Sequence, residues 1–156
     1  MKLSAHFSRS EMTTTQSGIE NRPTLEAWIN MTRLCCEVLE PLREICGPLK
    51  INSGHRSPEV NKKIGGAKNS AHTFGRAADV VPIDKALNAL DLILALQDSG
   101  ISFDKAILEY RGRGLWLHVQ VRHVKRKPRR VLLQSLESGS FEKFNANDPR
   151  LKRWLE

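Results

Sequence analysis

Two histidines, an aspartate and a glutamate have the residue types and spacing that metal binding or acid–base catalysis would need. They are His72, Asp79, Glu109 and His118. Apolar and polar residues alternate from Leu115 to Arg122, which predicts a strand with one apolar face and one polar face. His118 therefore projects from the polar face of that strand.

His72 and Asp79 come from another segment, in which a glycine turn at Gly75 leads into a short apolar strand. Together with His118 they offer two imidazole nitrogens and one carboxylate oxygen, a ligand set that suits tetrahedral zinc. Three protein ligands leave one position open for water, which is typical of a catalytic zinc site rather than a structural one. An unpaired carboxylate beside an apolar strand would be costly to bury, and a metal supplies the partner that Asp79 needs.

Glu109 is expected to face the same site across a hairpin. If Tyr110 and Leu115 pair on either side of the turn, Glu109 lies opposite Trp116 and diagonal to His118, with Cβ atoms roughly 7–8 Å apart. That separation is too long for direct contact and suits a carboxylate that addresses a water held on a metal. The prediction depends on the register, because a slip of one residue would turn Glu109 to the other face.

The elements that must position these residues follow from the periodicity of apolar residues and from turn residues. Helices are predicted from Thr24 to a stop at Gly47-Pro48 with a kink at Pro41, from Ser57-Pro58 through Ile64, from a cap at Asp84 to Ser99-Gly100, and after a cap at Asp148-Pro149. Strands are predicted over residues 49–52, 77–81, 103–110, 115–122 and 131–136, with a Gly-rich loop at 65–75 and a four-residue hairpin loop at 111–114. This pattern indicates an α+β domain, with a small antiparallel sheet packed against helices.

The two longer helices are each expected to bury one apolar face. In the first helix that face comprises Leu25, Trp28, Ile29, Leu34, Val38, Leu39, Leu42 and Ile45, and in the second it comprises Leu87, Leu90, Ile93, Leu94 and Leu96.

Length and composition are those of one domain. The chain has 156 residues, of which 40% are hydrophobic, enough for one core and too few for two domains of ordinary size. Residues 1–20 lack the apolar core of a signal peptide, and no stretch approaches the roughly 20 apolar residues that span a bilayer. Cys35, Cys36 and Cys46 have neither metal-site spacing nor a disulfide framework, so we expect reduced thiols.

Charge is unevenly distributed along the chain. Residues 1–110 contain 13 basic and 13 acidic side chains, whereas residues 111–156 contain 12 and 4, so the whole net charge of +8 belongs to the last third. A concentrated basic field favours a polyanionic partner, such as an anionic cell-wall polymer, lipopolysaccharide or nucleic acid. Nucleic acid ranks last, because no stacking-aromatic pattern or recognition motif accompanies the basic residues.

Several motifs in a fixed order resemble the zinc D-Ala-D-Ala carboxypeptidase family, whose metal-binding core is shared with Hedgehog signalling domains. The strongest is Ser70-x-His72-x-x-Gly75-x-Ala77-x-Asp79, followed by Glu109 and Trp116-x-His118. The segment Ser53-Gly54-His55-Arg56-Ser57-Pro58, with Asn61 and Gly65-Gly66, is similar to another segment of that family. The opening His6-Phe7-Ser8-x-x-Glu11-Met12 resembles the start of its phage-encoded members. The likeness runs from about residue 4 to residue 133, and His55 and Trp116 depart from the residues more usual in relatives.

The resemblance implies a Hedgehog/DD-peptidase-like fold and a role for each matching residue. His72, Asp79 and His118 would bind one zinc per chain, and Glu109 would be the general base that takes a proton from water and returns it to the leaving amine.

Three further residues are assigned to substrate. Arg56 would contact a substrate carboxylate or carbonyl, and Ser70 would be an orienting hydrogen-bond partner. Trp116 would be a substrate platform or apolar cover for the cleft.

The function expected from this resemblance is hydrolysis of peptide stems or cross-links in peptidoglycan by a monomeric phage-type lysin. Such an enzyme would be made in the host cytoplasm without a signal peptide, and would act in the periplasm or cell wall, free or as part of a virion. Residues 1–156 would form one zinc peptidase domain, with a core over about 4–133 and a basic tail over about 123–156 that adds affinity for anionic wall or outer-membrane polymers. The alternatives are a monofunctional D-Ala-D-Ala carboxypeptidase and a non-catalytic, zinc-stabilised protein that binds peptidoglycan or belongs to the virion.

Overall fold

One mixed β-sheet carries the site on one face and the core on the other. A computed structural model describes residues 1–112, 114–137 and 139–155. Within these residues the strands are β1 Leu49–Ser53, β2 Ala77–Pro82, β3 Lys105–Arg111, β4 Gly114–Gln120, β5 Val131–Leu136 and β6 Glu142–Lys143. Their order in the sheet is β1-β2-β4-β3-β5-β6.

The other elements of the described residues are helical. They are α1 Arg9–Thr13, α2 Leu25–Leu34, α3 Glu40–Cys46, α4 Pro58–Lys63 and α5 Ala89–Asp98, with 3-10 turns at Ala71–Phe74 and Pro149–Trp154. This architecture confirms the predicted α+β class. None of the helices described is long and apolar enough to cross a bilayer.

Alternation along the central strands separates core from site. On one face, Ala78, Val80, Ala106, Leu108, Leu117 and Val119 are buried and pack with the apolar sides of α2, α3 and α5. The intervening residues of β2, β3 and β4 project from the opposite face. The predicted site residues Asp79, Glu109 and His118 all belong to this second set.

The sheet departs from the expected antiparallel arrangement at β5, which pairs with β3 in parallel. The segment between β4 and β5 crosses to the far edge of β3 instead of turning back beside β4. The last part of the chain belongs to the same core, because Leu136, Phe144 and Leu151 are buried in it. Asp148 caps the terminal 3-10 turn, as predicted.

The first long helix is interrupted where the sequence predicted a kink. A π-helical turn over Cys35–Leu39 separates α2 from α3, and Pro41 follows it within the first turn of α3. Proline has no N–H to donate to the carbonyl four residues earlier, so the regular α-helical ladder cannot continue there. A wider turn, closed by Glu40 N–H to the carbonyl of Cys35, absorbs this break.

Two predictions about helices were wrong in detail. Leu25, Ile29 and Ile45 are exposed rather than buried, at 76%, 54% and 56%. The buried side of α2 is formed instead by Ala27, Asn30, Met31 and Leu34. The next helix begins after Asn88 and not after Asp84. Asn88 forms a reciprocal capping box with Asp91, whereas the Asp84 side chain accepts the N–H of Ala86 in a turn.

The hairpin between β3 and β4 has the predicted register. Tyr110 pairs with Leu115, and Glu109 pairs with Trp116. The ladder reaches one step further than expected, to Arg111 and Gly114, so the loop is shorter than the predicted 111–114. Arg113, within that predicted loop, lies outside the described residues.

Candidate metal centre

Three different elements bring the candidate ligands together. His72 lies in the 3-10 turn before β2, Asp79 lies in β2, and His118 lies in β4. Asp79 and His118 are direct partners in the antiparallel pairing of β2 with β4. Adjacent strands therefore place a carboxylate beside an imidazole, and the turn brings the second imidazole over them.

The ligand atoms form a nearly equilateral triangle. His72 Nε2 lies 3.2 Å from His118 Nδ1, His118 Nδ1 lies 3.0 Å from Asp79 Oδ1, and Asp79 Oδ1 lies 3.3 Å from His72 Nε2. Tetrahedral zinc with bonds of about 2.0–2.1 Å to N and O would separate its ligand atoms by roughly 3.3 Å. The donor set and its spacing therefore fit one zinc ion, and these three residues form a group able to hold a metal.

Each histidine has an outer partner that leaves the correct nitrogen for a metal. His72 Nδ1 lies 2.7 Å from the Gly54 carbonyl oxygen, which can only accept, so Nδ1 carries the proton and Nε2 presents a lone pair. His118 Nε2 lies 3.3 Å from Gln120 Oε1, which likewise assigns the proton to Nε2 and frees Nδ1. Such outer hydrogen bonds orient imidazole ligands in metal sites.

The turn that carries His72 explains two residues of its motif. Ser70 Oγ accepts the His72 backbone N–H at 3.3 Å and caps the 3-10 turn. Gly75 ends the turn with φ +68°, and a Cβ there would lie 2.4 Å from the Ala27 carbonyl oxygen. Both the left-handed conformation and the close approach require glycine, so the contact between this turn and α2 depends on Gly75.

Arg56 supports the third ligand. Its Nη2 donates to Asp79 Oδ2 at 2.9 Å, and its Nε donates to Ser53 Oγ at 2.9 Å. The oxygen that Arg56 holds is the one that does not face the histidines, so the ion pair orients Asp79 without blocking the triangle. Contact between Arg56 and a substrate stays a prediction.

Glu109 faces the same cleft, as the register predicted. The cleft is about 440 Å³ in volume and is lined by the three candidate ligands together with Arg56, Ser70, Glu109 and Trp116. Glu109 is mostly buried, and Arg111 Nη2 lies 3.6 Å from its Oε2. Trp116 Nε1 is buried without a hydrogen-bond partner among the described residues, and the role of this side chain toward substrate stays a prediction.

Comparison with known proteins agrees with this geometry. A family model described as Peptidase M15 matches residues 5–119, a range that includes every candidate site residue. The chain belongs to the Peptidase M15 family. A stretch of 44 residues is also 43% identical to the zinc D-Ala-D-Ala carboxypeptidase of Streptomyces albus G. That match covers 27% of this chain and 17% of the relative, so the alignment spans less than a fifth of the relative's length. Family membership and the His-Asp-His group together support a zinc metallopeptidase.

Electrostatics in this M15 site favour a positive charge at the triangle. Burial acts to raise the pKa of Asp79, but the charge of His72 and hydrogen bonds from both histidines hold it well below its ordinary value. Burial lowers the pKa of His72, whereas the hydrogen bond and charge of Asp79 outweigh burial at His118 and raise its pKa. Asp79 is thus ionised near neutral pH, and a protonated imidazole or a metal cation can balance its charge.

The pKa of Glu109 is shifted in the opposite direction from that of Asp79. Burial raises its pKa above the ordinary value of 4.5, and the positive charges of His118, Arg111 and Arg56 offset part of this effect. A carboxylate with a raised pKa accepts and returns protons more readily near neutral pH than an exposed one does.

The residues that hold the ligands of this M15 protein in place through hydrogen bonds were not predicted from the sequence. Gln120 links His118 to Asp104, because Gln120 Nε2 donates to Asp104 Oδ2 at 3.1 Å. Asp104 is 1% exposed and accepts from Arg129 at 2.7 and 2.9 Å. Gln120 lies two residues after His118 on the same polar face, a signal that could have found it. Nothing in the local sequence pointed to Asp104 or to the Gly54 carbonyl.

Proposed function

We propose that this protein is a zinc-dependent peptidase that hydrolyses peptide bonds of bacterial peptidoglycan. The observation that carries the proposal is the triangle of His72 Nε2, Asp79 Oδ1 and His118 Nδ1, whose sides of 3.0–3.3 Å suit tetrahedral zinc. The substrate class comes from the named activity of the M15 relative, a D-Ala-D-Ala carboxypeptidase.

Zinc held by His72, Asp79 and His118 would polarise the scissile carbonyl and lower the pKa of the attacking water. Glu109 then accepts the proton of that water and delivers it to the leaving amine nitrogen. Its burial and raised pKa suit both transfers. Arg111 Nη2, 3.6 Å from Glu109 Oε2, lies beside the carboxylate and partly offsets the effect of burial on its pKa.

Arg56 has two tasks in this proposal. Its Nη2 and Nε keep Asp79 oriented through the bonds to Asp79 and Ser53. Its Nη1 makes no hydrogen bond to any described residue and lies on a side chain that lines the cleft, so it is available to a substrate carbonyl or carboxylate. Ser70 holds the His72 turn, and Trp116 provides an apolar wall for the peptide.

Cleavage within a peptide chain is favoured over removal of a terminal residue by the shape of the cleft. The metal cleft shares Asn69, Ala71, Lys105 and Gln120 with a second cleft of about 600 Å³. It also shares Gly66 with a third cleft of about 690 Å³. Clefts that adjoin the metal cleft offer room for substrate beyond the residue next to the scissile bond, which supports an endopeptidase.

Mass spectrometry of muropeptides tests this proposal. Purified sacculi and isolated cross-linked dimers are incubated with the zinc-loaded protein, and the products are identified by mass. An endopeptidase converts dimers to monomers or shortens stems from within. No change in either substrate, with zinc bound at one equivalent, would contradict the proposed activity.

A monofunctional D-Ala-D-Ala carboxypeptidase is the second candidate, favoured by the name of the Streptomyces albus G relative. The same digest separates the two activities. A carboxypeptidase releases free D-alanine from pentapeptide stems and leaves cross-linked dimers intact, whereas the endopeptidase consumes the dimers.

We further propose that the protein acts as a phage-type lysin on the wall in the periplasm, as a monomer. The opening segment that resembles phage-encoded relatives forms α1 and its capping box, with Phe7 and Met12 buried, so it is part of the folded domain. Addition of the protein to outer-membrane-permeabilised Gram-negative cells should lower their turbidity. A Glu109→Gln variant supplies the control, because equal lysis by that variant would show that hydrolysis is not the cause.

A further inference from the structure

A strongly basic cleft adjoins the metal cleft. It has a volume of about 600 Å³, and its charged walls comprise six cationic side chains and one carboxylate. The cations are Arg76, Lys105, Arg122, Lys125, Arg126 and Arg129, and the carboxylate is Asp104. This cleft, called here the basic cleft, therefore has a large excess of positive charge in a concave space.

Most of that charge is not neutralised within the protein. Arg129 lies 2.7 Å and Arg122 lies 3.8 Å from Asp104, so one carboxylate forms ion pairs with two of the arginines. Across the described parts of the chain, Arg76, Lys105 and the two cations at 125 and 126 form no ion pair. The buried Nε of Arg76 also has no hydrogen-bond acceptor among those residues. The basic cleft thus presents donors whose natural partner is an anion.

Lys105 joins the basic cleft to the metal cleft. It lines both clefts, as does Gln120, the outer partner of His118. Lys105 and Glu109 are four residues apart on β3, so they share a face and their Cα atoms lie roughly 13 Å apart along the strand. An extended peptide covers that distance in about four residues, and the lysine side chain shortens the span.

We propose that the basic cleft is a substrate subsite that binds a free carboxylate of the peptide, with Lys105 as the specificity-determining contact. This inference rests on the proposed peptidase function and names what its substrate must carry. Peptidoglycan stem peptides bear free carboxylates beside the bonds that peptidases cut, whereas neutral peptides offer the basic cleft nothing to bind. No Phe, Tyr or Trp of the described residues lines the basic cleft, so it has no platform on which nucleic-acid bases could stack.

The proposal changes the expected role of the basic carboxyl-terminal third. Arg122, Lys125, Arg126 and Arg129 belong to that third and line the basic cleft beside the metal cleft. They therefore act on the same substrate molecule that is cleaved, in addition to any attraction for anionic wall polymers at a distance.

The test is equilibrium binding of stem peptides in which each carboxylate is amidated in turn. Peptides bind without turnover to the zinc-loaded Glu109→Gln variant, so each Kd can be measured by calorimetry. The peptide with its carboxylates free should bind roughly 10- to 100-fold tighter than one amidated form, the size expected for loss of one charge-assisted hydrogen bond. Adding Lys105→Gln should bring that ratio of Kd values close to one, and Lys105→Arg should restore it.

Lys50→Gln is the matched control, because Lys50 is an exposed lysine on β1 that lines neither cleft, and its loss should keep the ratio. Since the ratio is measured on one preparation, partial unfolding of a variant does not alter it. The inference is overturned if no amidation weakens binding, if no peptide binds, or if the ratio survives Lys105→Gln. Failure of the proposed function has a different signature, in which the wild-type protein binds the peptides and hydrolyses none.

Discussion

Arg56 Nη2 lies 2.9 Å from Asp79 Oδ2, the carboxylate oxygen that faces away from the two histidines. The arginine therefore fixes the orientation of one candidate ligand through an atom that the metal does not need. Both side chains are largely shielded from solvent, at 16% and 13% exposed, so the ion pair is not a screened surface contact.

Replacing Arg56 by alanine should weaken zinc binding, because Asp79 would lose its outer partner. Loss of such a partner typically lowers metal affinity by about 10- to 100-fold. Arg56→Lys should fall in between, since an ammonium cannot contact Asp79 and Ser53 with the same fork of donors. Competition with a chelator at constant pH measures the affinity. Arg22→Ala, which removes an exposed ion pair with Glu20, is the control, and an Arg56→Ala affinity equal to that control would show that the pair does not support the ligand.

Asp104 should contribute to stability through its buried contacts with Arg129 and Gln120. Its pKa is lowered, because hydrogen bonds and charge from Arg129 outweigh the opposing effect of burial. A depressed pKa means that the contribution is present above the unfolded value near 3.8 and is lost as pH falls through the lower folded value. Asp104→Asn should thus lower the free energy of unfolding by about 1–3 kcal/mol near neutral pH, and by less at about pH 3. Urea unfolding of the chelator-treated proteins gives both values, and an equal loss at the two pH values would contradict the assignment.

The three cysteines should differ in reactivity. Burial raises the pKa of Cys35 to about 12 and also raises that of Cys46, whereas Cys36 is exposed. The thiolate is the reactive form, so a disulfide reagent at about pH 8 should modify one thiol of the native protein and three in denaturant. The fast reaction should disappear in Cys36→Ser. Rapid labelling of Cys35 in the native state would mean that the π-helical turn opens more readily than the packing indicates.

Glu109→Gln should keep the fold and the zinc while losing most of the activity. The amide preserves the shape of the side chain but cannot take a proton from water, and general acid–base assistance is worth typically 10²–10⁴-fold in rate. That range corresponds to about 3–5 kcal/mol of transition-state stabilisation. Rate constants on a purified muropeptide, with zinc content measured on the same samples, check the prediction. A near-normal rate would mean that another group activates the water.

The sequence alone was enough to predict the register of the hairpin and the residues that line the metal cleft. The glycine-containing turn and the strict alternation after Leu115 leave one register that keeps the apolar residues in the core, and Glu109 pairs with Trp116 as expected. The motif from Ser70 to Asp79 also predicted that His72 and Asp79 lie close together, because a short turn entering a strand has few conformations available.

Features that depend on contacts between distant parts of the chain could not be predicted from local sequence patterns. Asp84 and Asn88 are both good caps, and only the reciprocal bond with Asp91 decides for Asn88. The parallel pairing of β5 with β3 depends on the path of a crossover segment, which hydrophobic periodicity does not encode. The bond from Arg56 to Asp79 joins residues 23 positions apart, and its partners could be known only from their positions in space.

Zinc titration of the metal-free protein tests the central claim most directly. Chelator-treated protein should cleave no peptidoglycan, and stepwise addition of zinc should restore cleavage in proportion until one equivalent per chain is bound. His118→Ala should recover neither stable zinc binding nor cleavage, because it removes one corner of the ligand triangle. Undiminished cleavage by metal-free protein, or full recovery by His118→Ala, would contradict the account of His72, Asp79 and His118 as the zinc site of this peptidase.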